Sequence, residues 1–179
     1  MPNPTTVEPH EGSDATFFEP VTIDELESQV VKLAANYWNT LRGSRRYPAR
    51  QDLRPRDIAP ILRNMVLAKV IDGGADFEFR IAGDAQVQAY GVPFQGKRLS
   101  EVGPQNNAFS ASVRGIYRHV VESAAPIAVR GRMGAGFPNV KFAYCESLFL
   151  PLGPSDDVVD HILVFSTYVE RTFTENKKK

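Results

Sequence analysis

Residues 36–56 read NYWNTLRGSRRYPARQDLRPR. Aromatic and arginine side chains alternate here with polar ones, and a Pro-x-Arg-x-Asp unit (Pro48, Arg50, Asp52) follows Gly43. Upstream, Thr22-Ile23-Asp24-Glu25 has the form of a capping box, which predicts a helix from Thr22 to about Leu41. Leu26, Val30, Leu33, Tyr37 and Leu41 fall at helical spacing, and Val31, Ala35 and Trp38 widen the stripe. That apolar face exceeds what packing on one small sheet requires. The helix is therefore either sandwiched or meets another chain, and Leu26, Val30, Leu33, Tyr37 and Trp38 are the expected dimer or partner contact. Gly43 is placed to end it. Pro55 and Pro60 admit only a short helical turn, from about Pro55 to Leu62.

Downstream the period changes to two. Val66, Ala68 and Val70 alternate with Leu67, Lys69 and Ile71, Gly73-Gly74 makes a tight connection, and Phe77, Phe79 and Ile81 alternate with Glu78 and Arg80. A short helix is predicted over Asp84 to Tyr90, a loop-rich stretch from Pro93 to Asn107, and a longer helix over Asn107 to Ser123. Three strands follow, Ile127 to Met133, Val140 to Leu150 and Val159 to Tyr168, separated by Gly- and Pro-rich turns. The expected architecture is α+β: a five-stranded antiparallel sheet with helices on one face plus an N-terminal flanking helix. Residues 1–20 read as a disordered tail, with Phe17 and Phe18 as docking exceptions. Residues 21–63 read as the helix and Arg-rich connection, 64–170 as the core and 171–179 as a charged tail.

Composition narrows the function classes. Lys+Arg and Asp+Glu both number 21 in 179 residues, so nothing global favours nucleic acid or an anionic membrane. The single cysteine, Cys145, leaves no internal disulfide. No apolar run is long enough for a membrane span, and residues 1–19 lack the apolar centre of a secretory signal, so a cytoplasmic location is expected.

Local motifs carry a family resemblance. Tyr37-Trp38-x-x-Leu41-Arg42-Gly43 with Arg46-x-Pro48-x-Arg50-x-Asp52 resembles the opening of a PAS-domain branch found mostly in alphaproteobacteria, the PAS_5-like single-PAS proteins. Phe79-Arg80-Ile81-Ala82-Gly83, Tyr90-Gly91, Gly96-x-x-Leu99 and Glu146-x-Leu148-x-Leu150-Pro151-Leu152 are similar to its later elements, in order, over roughly residues 26 to 168. The resemblance implies a non-catalytic sensory or regulatory module in bacterial signal transduction. It also implies a signalling partner such as a histidine kinase or response regulator, and the wide apolar face of the first helix makes a homodimer the expected state. No output domain follows in this chain, so the signal is expected to leave by contact with another chain. No cofactor is expected. Cys145 lies on a predicted strand, not in the helical Asn-Cys-Arg motif of flavin photosensors, and His119 reads as a helix-end histidine and not as a haem ligand.

Three residue groups remain open. Arg80, Tyr90, Tyr117, Phe142, Tyr144 and Glu146 are candidate ligand-binding residues between sheet and helices. Glu146 lies in a strand that otherwise reads apolar, so it needs a cationic partner, with Arg80, Arg130 and Arg132 as choices. Arg42, Arg46 and Arg50 form an alternative anion site for a nucleotide or cyclic dinucleotide, although structural ion pairing is the favoured reading. A further alternative is a cone-sheet isomerase or dehydratase, for which Glu146 and Tyr117 are the available acid–base pair. No metal-ligand spacing occurs.

Overall fold

The computed structural model describes residues 18–102, 108–132 and 141–170. Its six strands are β1 (Phe18–Val21), β2 (Met65–Ile71), β3 (Asp76–Ala82), β4 (Ile127–Arg132), β5 (Phe142–Leu152) and β6 (His161–Glu170). The helices are α1 (Gln29–Arg42), α2 (Asp84–Tyr90) and α3 (Ala108–Ser123), with a 3₁₀ stretch at Pro55–Asn64. The sheet order is β1-β4-β5-β6-β2-β3 and every pairing is antiparallel. The hairpin and the three-strand meander thus share one sheet, as expected, through β2 and β6.

The sixth strand comes from the expected tail. Phe18–Val21 pairs with β4, and Phe18 is buried on it. Residues 18–20 are therefore part of the sheet, and residues 1–17 of that tail, Phe17 included, lie outside the described residues. The 171–179 tail does too.

Side chains alternate along a strand, which sorts the sheet into two faces. Leu148 and Leu150 of β5 pair with Phe165 and Leu163 of β6, and these with Met65 and Leu67 of β2. This is the face under α1, where Trp38 Nε1 donates to the Pro151 carbonyl at 2.9 Å. The other face carries Ser147, Phe149, Val164 and Val66, and Phe149 meets Tyr117 of α3. Both faces are covered, by α1 on one and by α2 and α3 on the other.

Four local expectations are corrected. The Thr22–Glu25 capping box forms, with Thr22 N donating to Glu25 Oε2 at 2.7 Å, but it closes only a 3₁₀ turn, Ile23–Glu25. The α-helix starts at Gln29 behind Ser28, because the amides of Glu27 and Ser28 bond to the Glu146 carboxylate. In β3 the register with β2 shifts between Leu67 and Ala68, so Ile81 leaves the Phe77/Phe79 face and is exposed. In β5 a shift between Phe142 and Tyr144 puts Phe142 on the face opposite Tyr144 and Glu146. Finally, the described part of the loop-rich stretch is tied to the outer edge of β3. Gly96 N donates to Phe79 O at 2.7 Å and Leu99 N to Phe77 O at 2.8 Å, which covers that edge.

Candidate functional site

The space between the sheet and α2/α3 is occupied by rings. Tyr117 of α3 stacks 5.0 Å from Phe77, 6.2 Å from Phe79 and 5.3 Å from Phe149. Tyr90, at the end of α2, lies edge-on to Phe142 at 5.7 Å and to Tyr168 at 6.1 Å. Phe94 bridges the two groups, 4.9 Å from Phe79 and 6.1 Å from Tyr90. Such tilted and edge-on contacts stabilise by about 0.5–1.5 kcal/mol each beyond area burial. Burial pushes the hydroxyls of Tyr90, Tyr117 and Tyr168 well above the ordinary tyrosine range, so all three stay protonated.

A chain of polar groups threads this apolar interior. The Tyr90 and Tyr168 hydroxyls hydrogen-bond each other, and Tyr168 donates to Gln86 Oε1. Gln86 Nε2 donates to the Asn64 carbonyl at 2.7 Å, and Asn64 Nδ2 to the Ser166 carbonyl at 2.9 Å. Beside it, the Ser147 and Ser166 hydroxyls pair at 2.7 Å. Sequence reasoning found Tyr90 but missed Gln86, Tyr168, Ser147 and Ser166. The two serines left a signal, since each interrupts an otherwise apolar strand. Gln86 left none, because a glutamine on a short helix reads as a surface residue.

The sheet separates the six candidate ligand residues. Tyr90, Tyr117 and Phe142 share the inner face with α2 and α3. Tyr144 and Glu146 lie on the α1 face, and Arg80, at the β3 irregularity, is exposed and pairs with Glu78 at 2.7 Å. Of the three partners considered for Glu146, the structure selects Arg130.

Glu146 is 2% exposed and serves the start of α1. Ser28 N donates to its Oε2 at 2.8 Å, and Glu27 N reaches both oxygens, at 3.1 and 3.0 Å. The Tyr144 hydroxyl donates to Oε1 at 3.0 Å, and Arg130 Nε lies 3.6 Å from the same oxygen. Burial pushes the carboxyl up, but the two amides, Tyr144 and Arg130 together outweigh it and hold it below the ordinary value. Arg130 also donates to the Glu25 carbonyl, and the Arg132 guanidinium lies 5.5 Å over the Tyr144 ring. A carboxylate held so low, on the opposite side of the sheet from Tyr117, is poorly placed as a general base.

The arginine segment is largely self-tied. Arg42 lies 5.6 Å over the Trp38 ring and donates to Asn39 Oδ1 and the Arg45 carbonyl, each at 3.0 Å. Arg45 pairs with Asp52 at 3.2 Å and donates to the Gly153 carbonyl, while Arg46 Nη2 donates to the Ser123 carbonyl at 2.9 Å. Arg50 is exposed. His119 is exposed on α3 and lines an apolar groove of about 310 Å³ with Phe18, Pro20, Ile116, Ile127 and Val129. Cys145 is buried in β5, and burial pushes its thiol up to about 12. Of the expected partner contact, Leu26 and Trp38 are buried at 1% and 4%, Val30 and Tyr37 are half-buried, and Leu33 is 54% exposed.

A family model described as PAS domain matches residues 26–165. The chain belongs to the PAS_5 family of PAS domains. A comparison with curated proteins found no match. The antiparallel sheet β4-β5-β6-β2-β3 with α2 and α3 on one face is the PAS fold, extended here by the edge strand β1 and flanked by α1 on the other face. As a PAS domain the chain is a sensory or regulatory module, of a class that commonly works with signalling proteins. Among the described residues no helix is long and apolar enough to cross a membrane.

Proposed function

We propose that this PAS module acts by contact with another protein, without catalysis and without a bulky cofactor. The observation that supports this best is the ring-on-ring filling of the space between the sheet and α2/α3. A flavin or haem needs that volume, and admitting one requires moving several mutually packed aromatics out of their contacts. The Tyr90–Tyr168–Gln86 chain gives the interior polar groups for a small ligand, one that replaces their mutual hydrogen bonds without displacing the rings. The separation of Glu146 from Tyr117 by the sheet argues against the isomerase or dehydratase alternative. The engagement of Arg42 and Arg46 with protein carbonyls argues against a nucleotide clamp at Arg42, Arg46 and Arg50.

In this reading the protein is cytoplasmic and homodimeric, and its partner is a signalling protein of the histidine kinase or response regulator kind. Native mass spectrometry on material purified from its own host tests it. A protein complex without a retained cofactor-sized molecule is expected. A stoichiometric adduct of flavin or haem size on an isolated chain would overturn the reading.

A further inference from the structure

Residues 29–56 carry seven lysines and arginines against one acid, Asp52, in a chain whose charges balance overall. Helix α1 itself has no acidic side chain. Asp52 is already engaged, since its Oδ2 accepts from Arg45 Nη1 at 3.2 Å and from the Ala49 amide at 2.8 Å. Arg42, Arg45 and Arg46 are likewise engaged, as described above. Arg50, Arg54 and Arg56 are exposed, and among the described residues none of their guanidinium groups has an ion pair.

Of these cations, Arg54 is tied by its backbone to the flank of α1, and Arg50 and Arg56 lie within four residues of it in the chain. The Tyr37 hydroxyl accepts from Arg54 N at 2.6 Å and donates to Arg54 O at 3.3 Å, which pins the chain at the start of the Pro55–Asn64 stretch to the helix. One helical turn before Tyr37, on the same flank, stands Leu33, more than half exposed. An exposed leucine one turn from the residue that holds this cationic segment gives the surface both an apolar anchor and a charge preference. Asp57 is the acidic residue on this rim, and it is exposed.

We infer that the surface of α1 at Leu33 and Tyr37, together with the adjoining exposed segment that carries Arg50, Arg54 and Arg56, docks an acidic, amphipathic segment of a partner protein. The inference rests on the protein-contact reading and supplies the partner's chemistry. Carboxylates of the segment meet the three arginines, and its apolar side chains cover Leu33. A nucleic acid fits less well, because the centre of the surface is apolar.

The probe is a labelled helical peptide of about 18 residues, with Leu at one face and Glu on the rest, followed by fluorescence anisotropy. Comparators are the same peptide with Leu replaced by Ser, and a single-stranded oligonucleotide of equal charge. The variants are Arg54→Glu with Arg56→Glu, and Leu33→Asp, all at exposed positions whose folding is checked by circular dichroism. The Leu/Glu peptide is expected to bind wild type, to weaken about tenfold or more in each variant, and to weaken as salt is raised. Equal binding to the variants would overturn the inference, as would tighter binding of the oligonucleotide or undiminished binding of the Ser peptide. Self-association abolished by the same variants would also overturn it, in favour of a second copy. Cross-linked complexes from the host separate the two levels. A partner retained by the arginine double variant removes this surface but leaves the protein-contact reading, whereas no partner for either form removes the reading.

Discussion

Glu146 shows how one residue can be legible by type yet not by role. A carboxylate in an apolar strand announced itself, and Arg130 was among the partners the sequence offered. The backbone amides of Glu27 and Ser28 were invisible, because no side-chain pattern encodes them. They define the role: the carboxylate anchors the backbone just ahead of α1, whose N-cap is Ser28 itself, from across 118 residues of chain. Replacing Glu146 with Ala leaves two amides and the Tyr144 hydroxyl without an acceptor and Arg130 without its carboxylate, and is expected to cost about 3–5 kcal/mol in urea unfolding. The pH dependence has a fixed sign. The folded pKa lies below the ordinary value, so the stabilisation is present above the ordinary carboxylate pKa and is lost as pH falls through the folded one. The stability gap between wild type and Glu146→Gln is therefore expected to narrow between about pH 7 and about pH 3. A gap independent of pH would contradict this role. Tyr47 is the opposite case. It is fully buried, and its hydroxyl has no hydrogen-bond partner among the described residues. Tyr47→Phe removes a desolvated polar atom and is expected to leave stability unchanged or raise it by up to about 1 kcal/mol, read from the same unfolding curves.

At the scale of elements, periodicity located the hairpin, α2, the described part of α3 and the last three strands, because each has one face against the core. It failed where the backbone departs from regularity. The irregularities at Arg80 and Ala143 swap faces without changing the hydrophobic count, so Phe142 read as a neighbour of Glu146 when it lies across the sheet. Edge strand β1 was hidden because a four-residue strand containing Pro20 carries too little alternation to read. Its packing depends on Gly131. A Cβ there would lie 2.7 Å from Cys145 Sγ and 2.9 Å from Phe18 Cε1. Gly131→Ala is expected to destabilise by about 1–3 kcal/mol, while Gly115→Ala, with open space around it in α3, is expected to stabilise by about 1 kcal/mol. Opposite shifts in Tm would bear this out; two shifts of the same sign would contradict it.

For the molecule as a whole, the PAS architecture was readable because short motifs occur in family order, and the family match over residues 26–165 agrees. The candidate site was less readable. The sequence places aromatics and charges along the chain, but the sheet decides which of them meet, and it divides the six candidate ligand residues between two faces. The same division sends the packed rings to the inner face and leaves Leu33 with unpaired arginines on the outer one. On the proposal made above, the module works by protein contact on that outer side. The most direct test is photo-crosslinking in the host, with a benzophenone amino acid placed at Leu33 in one strain and at Ala111, exposed on α3, in another. A discrete protein adduct is expected from position 33 and little from position 111. Equal adducts at both positions, or none at position 33, would contradict it.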